Sequence, residues 1–177
     1  VIACDNYDHR TAYDLPVKPS PNLPNMRAVY LYPSICFFEG TVVSVGRGTD
    51  KQFQVIGAPG FEKGNFSFTP RPMEGAKNPP QEGKVCNGYD LTHLKPEDLR
   101  QRNTLDLSYL LNFYRDFPDK SKFFLENLYF DKLAGGTELR EQIVKGMSEA
   151  EIRESWQPGL EKFKAIRRKY LIYKDFD

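Results

Sequence analysis

The sequence is short of the residues that build metal centres, disulfide frameworks and polyanion-binding faces. Histidine occurs only at His9 and His93, far apart, and Cys4, Cys36 and Cys86 include no CxxC pair. Neither a metal-ligand cluster nor a disulfide framework follows from such a set. Small packed thiols and structural or surface imidazoles account for these residues. No run approaches the roughly 20 apolar residues of a membrane span, and the start lacks the order of a signal peptide. Twenty-five basic and 24 acidic side chains leave a net charge of +1, which argues against nucleic acid as a partner. The densest basic run, Arg167 to Lys169, sits among acids and reads as a solvated helix face. Neither GxxxxGK[ST] nor GxGxxG occurs, so no nucleotide cofactor is implied.

What is present is a chain of 177 residues, enough for one domain with a sizeable core. Its texture changes near residue 104. The first part is rich in Pro, Gly and aromatics, and LPVKPSPNLPN at 15–25 should be extended and irregular. AVYLYP (28–33), FQVIGAP (53–59) and KVCNGYDL (84–91) read as strands, and 62–83 as a long loop. Beyond residue 104 the pattern is helical. Leu107, Leu110, Leu111 and Tyr114 form a stripe behind the N-cap candidate Asp106. A turn or two at 121–128 ends at LAGG, and 138–145 continues helically to Gly146. Ser148 and Glu151 match a capping box, with Ile152 and Trp156 on the inner face. Pro158 is expected to open a final helix with Leu160, Phe163, Ile166 and Tyr170 inward, and YLIY to close as a strand. The class is α+β: a small mixed sheet with helices packed on it and a helix-rich C-terminal half.

The chemistry concentrates at VGRGTD. Gly46 and Gly48 permit backbone angles and close approaches that a Cβ forbids. Arg47 carries a planar fork that grips carboxylates and stays charged at working pH. Backbone N–H groups around such a turn can form an anion-binding nest. The same stretch also reads as a tight turn whose arginine pairs with an acid. Upstream, Glu39 lies between Phe38 and Gly40. An acid in apolar surroundings can carry a raised pKa and donate a proton, or it can simply hold Arg47. Asn22, Ser34, Thr41, Ser44 and Thr49 are further candidates for a ligand site, or hydrogen-bonding groups that serve turns and loop carbonyls.

LPVKPSPNLPN, LYPSICFFEGTVVSVGRGTDKQFQVIGAP, FDKLAGG, LREQI and a final R-x-Y-L-I-Y resemble the exo-β-N-acetylmuramidases, glycoside hydrolases of peptidoglycan turnover. The resemblance runs from Leu15 to Tyr173, and its central motif is EGT-x-x-S-x-GRGTD. It implies a two-domain enzyme that releases terminal N-acetylmuramic acid from peptidoglycan fragments. An N-terminal Rossmann-like domain would precede the single α+β domain formed by residues 1–177, with the active site in the cleft between them. It also implies that the main catalytic glutamate lies on the first domain, and it favours a periplasmic or secreted bacterial setting. Val1 in place of Met marks a processed chain or a piece of a longer one. On this resemblance Arg47, cradled by Gly46 and Gly48, reads the lactyl carboxylate of muramic acid. Glu39 serves as a catalytic partner or as a residue that orients sugar hydroxyls or holds Arg47. The alternative is a carbohydrate-binding or interaction module that acts without catalysis.

Overall fold

A computed structural model describes residues 1–175. Six helices are present among them: α1 Met26–Ile35, α2 Pro96–Arg102, α3 Ser108–Asp116, α4 Tyr129–Ala134, α5 Glu138–Val144 and α6 Glu149–Arg167. The sheet comprises β1 Val55–Ala58, β2 Phe66–Phe68 and β3 Cys86–Asp90 in the order β1-β3-β2. Both pairings are antiparallel, with Val55 opposite Asp90 and Phe66 opposite Gly88. The α+β class holds, with a sheet that is antiparallel throughout.

Residues 28–33 are helical, contrary to the strand expected there. Asn25 caps α1 by accepting the Ala28 N–H at 3.1 Å, and Ala28, Leu31 and Ile35 turn one face into the core. That spacing of three and four is helical, and it outweighs the β-branched and aromatic character of the segment. Pro33 is accommodated near the helix end, where α1 passes directly into a 3-10 turn, Cys36–Gly40.

Pro158 does not begin a helix; α6 runs through it. The Ser148–Glu151 capping box is present in full and starts α6, and Ile152 is buried behind it. Leu160, Phe163, Ile166 and Tyr170 are not inward but exposed. Residues 170–173 form the end of a 3-10 turn and bends rather than a strand.

The core is aromatic. Phe113 of α3 stacks on Phe61 with centroids 4.0 Å apart and planes 13° from parallel, and Phe38 meets it edge-on at 5.6 Å. The cluster continues through Phe117, Phe123, Phe124 and Phe130 to Phe37. It thereby joins α3, the turn carrying Phe37 and Phe38, and α4.

Candidate functional site

The 3-10 turn Cys36–Gly40 buries Phe37 and Phe38 and leaves Glu39 between them and Gly40 at the edge of the core. Beyond it the chain runs along β1: the Ser44 N–H donates to Gly57 O at 2.8 Å, and the Gly57 N–H returns the bond at 3.0 Å. The Phe53 N–H donates to Val45 O at 2.8 Å and closes the loop that holds Arg47. Gly46 and Gly48 have φ of 80° and 84°. A Cβ at Gly46 would lie 2.7 Å from Lys51 O, and one at Gly48 would lie 2.7 Å from Arg71 O. Gly46 is therefore required by the closure of the loop itself, and Gly48 by the close approach of the segment that carries Arg71.

The hydroxyls of this segment are committed to its backbone. Thr41 Oγ1 donates to Phe38 O at 2.7 Å and accepts the Val43 N–H; Ser44 Oγ accepts the Gly46 N–H. Thr49 Oγ1 donates to Gly46 O at 2.7 Å and accepts the Lys51 N–H. Asn22 reaches elsewhere, donating through Nδ2 to Gly75 O at 2.9 Å. Ser34 Oγ, on the buried side of α1, accepts the Asp106 N–H at 2.9 Å. In all five, the side chain serves turn or loop structure.

Arg47 and Glu39 do meet. Arg47 Nη1 donates to Glu39 Oε1 at 3.1 Å, with the arginine side chain 34% and the glutamate 18% exposed. Nε is buried with no hydrogen-bond partner, so the guanidinium is only partly committed among the described residues. Burial pushes the Glu39 carboxyl above its ordinary value, and the Arg47 charge offsets this only in part. Among the described residues, no second carboxylate contributes to that shift. Glu39 also lines an open concavity of about 400 Å³ with Thr41, Val42, Val45, Gln81 and Lys84. Arg47 is not among its lining residues.

Two exposed tyrosines complete the surroundings. Tyr32 of α1 packs against Phe53 with ring centroids 5.0 Å apart. Its phenol is raised chiefly by burial, then by the charges of Glu39, Cys36 and Tyr129, with Arg47 opposing. Tyr129, at the start of α4, is thus within electrostatic reach of the same group, and both rings are partly open to solvent. Neither was identified from the sequence, because Tyr32 lay in a supposed strand and Tyr129 arrives from a remote helix. The arrangement offers a guanidinium edge for an anion beside aromatic faces, which suit the apolar faces of sugar rings.

The same burial holds the Cys36 thiol up at about 11, and Cys86 likewise at about 11. Since the thiolate is the nucleophile, iodoacetamide at pH 7.5 is expected to alkylate exposed Cys4 first. Cys36 and Cys86 should react at least tenfold more slowly, as peptide mass mapping over time will check.

Among known proteins, the sequence model described as "Exo-beta-N-acetylmuramidase NamZ, C-terminal" matches residues 30–173. The chain is 33% identical over 174 aligned residues to the "Peptidoglycan beta-N-acetylmuramidase NamZ" of Bacillus subtilis (strain 168), covering 89% of this chain and 40% of that protein. A crystal structure of a DUF1343 family protein from Bacteroides fragilis NCTC 9343 superposes with a TM-score of 0.89 at 47% identity, covering 97% of this chain and 48% of that one. A second DUF1343 protein from the same organism shares the fold, with a TM-score of 0.67 at 17% identity over 89% of this chain and 45% of its own. The chain thus spans less than half the length of each of these relatives.

Proposed function

This chain belongs to the family of the C-terminal part of the exo-β-N-acetylmuramidase NamZ, and from that premise we propose that it supplies the saccharide-recognition side of a peptidoglycan-degrading glycosidase. The remaining side of the cleft, with the main catalytic glutamate, belongs to a preceding Rossmann-like domain of a longer protein. Muramic acid differs from glucosamine by a lactyl ether that carries a carboxylate. Arg47 binds that carboxylate, Glu39 holds the guanidinium from one side, and Tyr32 and Tyr129 bound the sugar. The observation that carries this reading is the Glu39–Arg47 pair at 3.1 Å, whose guanidinium is still one-third exposed and whose glutamate opens onto a concavity.

Most glycosidases work with two carboxylates about 5–10 Å apart. Among the described residues, Glu39 has no such partner that acts on its titration. It is therefore assigned to positioning Arg47. A hydrogen bond between charged groups contributes about 1.5–3 kcal/mol, or roughly a 10- to 150-fold change in affinity. In a longer family protein carrying this domain, Arg47→Ala should lose that factor in kcat/KM toward substrates ending in N-acetylmuramic acid. Substrates ending in N-acetylglucosamine should be nearly unaffected. Equal losses for both would remove the carboxylate-reading role, and Glu39→Gln should leave most of the turnover intact. If this domain alone binds muramyl sugars as tightly as the longer protein does, the binding-module reading replaces the half-site.

A further inference from the structure

Helix α6 changes its relation to the rest of the molecule halfway along. Ile152, Trp156, Leu160, Phe163, Ile166 and, through the following 3-10 turn, Tyr170 are spaced by fours and threes and so lie on one face. Ile152 is fully buried and Trp156 packs against the core, but Leu160, Phe163, Ile166 and Tyr170 are 42%, 59%, 55% and 77% exposed. One stripe is therefore covered at its start and bare at its end.

The bare half has little to sustain it as a helix. It begins at Pro158 and Gly159, the two poorest helix formers. Its local support includes the Glu161–Lys164 ion pair at 3.1 Å and the tail contact from Arg167 to Asp175 at 2.8 Å. Helices in proteins draw most of their stability from packing an apolar face, and this one projects such a face without a partner among the described residues.

The N-terminal arm shows what lies close by. The Cys4 N–H donates to the Tyr173 hydroxyl at 2.6 Å, and Tyr7 packs edge-on against the Tyr173 ring at 5.1 Å. His9 stands against the same ring at 5.9 Å. The start of the chain is therefore held at the far end of α6. Since the matched family part is C-terminal and the relatives are more than twice as long, the rest of such a protein reaches this domain through that arm.

We propose that the exposed stripe Leu160–Phe163–Ile166–Tyr170 is the docking face for the domain that precedes this one, which meets it with an apolar patch of its own. The proposal rests on reading this chain as the C-terminal part of a longer protein and is independent of any role for Arg47. A tethered domain is present at millimolar effective concentration, which favours it over a second copy of the chain as the occupant. Fixing α6 against the preceding domain would also set the angle at which the two sides of the cleft face one another.

The test uses a longer family protein that carries this domain, as wild type and as the Phe163→Ser/Ile166→Ser double variant. Both positions are exposed here, so the core should survive, and unchanged amide exchange in α3 will verify that. In the wild type, amides of residues 160–167 should exchange at least tenfold more slowly than those of an exposed helix. In the variant that protection should vanish, and protease cleavage at the interdomain junction should accelerate about tenfold. Fast exchange in the wild type, or unchanged cleavage in the variant, overturns the proposal. So does a dimer, seen by sedimentation, that the variant dissolves while junction cleavage stays the same. Muramyl-sugar hydrolysis by the wild type separates the two readings: protection without hydrolysis removes the sugar reading alone, and hydrolysis with an unprotected α6 removes the docking alone.

Discussion

Phe113→Ala should destabilise the domain by about 3–5 kcal/mol, the range for truncating a buried aromatic. Phe113 is 1% exposed and sits where rings from four parts of the chain converge. Phe61 stacks on it at 4.0 Å, Phe38 meets it edge-on, and Tyr89 and Phe117 approach to 6.3 Å each. Aromatic pairs add about 0.5–1.5 kcal/mol beyond area burial, and no single rotamer change among rigid rings can refill the space. A domain of this size has roughly 5–15 kcal/mol in all, so a fifth or more would go. Urea unfolding should show a lower midpoint with an unchanged slope. Phe163→Ala, which removes an exposed ring of the same size, should change the stability by less than about 0.5 kcal/mol. A loss below about 1 kcal/mol for Phe113→Ala would mean that the aromatic centre is not where cohesion resides.

The two longer strands were legible because apolar runs bounded by turn residues are a local signal, and Val55–Ala58 and Cys86–Asp90 sit inside the predicted 53–59 and 84–91. β2 was not, since three residues between Gly64 and Pro70 carry no period to read. In α1 the β-branched and aromatic residues signal a strand, while the buried spacing of Ala28, Leu31 and Ile35 is helical. α6 was misread because Pro158 usually breaks a helix and an apolar stripe usually faces a core. The second inference fails when the partner lies outside the chain, which is the situation proposed for Leu160 through Tyr170.

The site divides along the same line. Glu39 and Arg47 are eight residues apart, and the glycines around Arg47 marked a tight loop, so their pairing could be raised from sequence as one of two readings. Tyr129 could not, because what brings it within reach of Tyr32 is a tertiary contact between α4 and the turn at Gly40. The five further polar candidates stayed open to two readings because a hydroxyl or amide looks the same in sequence whether it faces a sugar or its own backbone; the structure shows their backbone hydrogen bonds.

Gly40→Ala is expected to cost about 3 kcal/mol or more and to disturb the site as well as the fold. A Cβ at Gly40 would run into the backbone N and Cα of Phe130, and backbone cannot swing aside as a flexible side chain can. Leu125 N–H also donates to Gly40 O at 3.0 Å, so the turn and the approach to α4 are joined on both sides. Relief requires α4 to withdraw, carrying Phe130 out of its contacts with Phe37 and Phe124 and shifting Tyr129 away from Tyr32. The thermal midpoint should fall by several degrees for a domain of this size. Affinity for muramyl sugars in the longer protein should drop even at temperatures where the variant is fully folded. A folded Gly40→Ala protein with undiminished affinity would show that the placement of α4 does not matter to recognition, and Tyr129 would leave the proposed site while Arg47 remained in it.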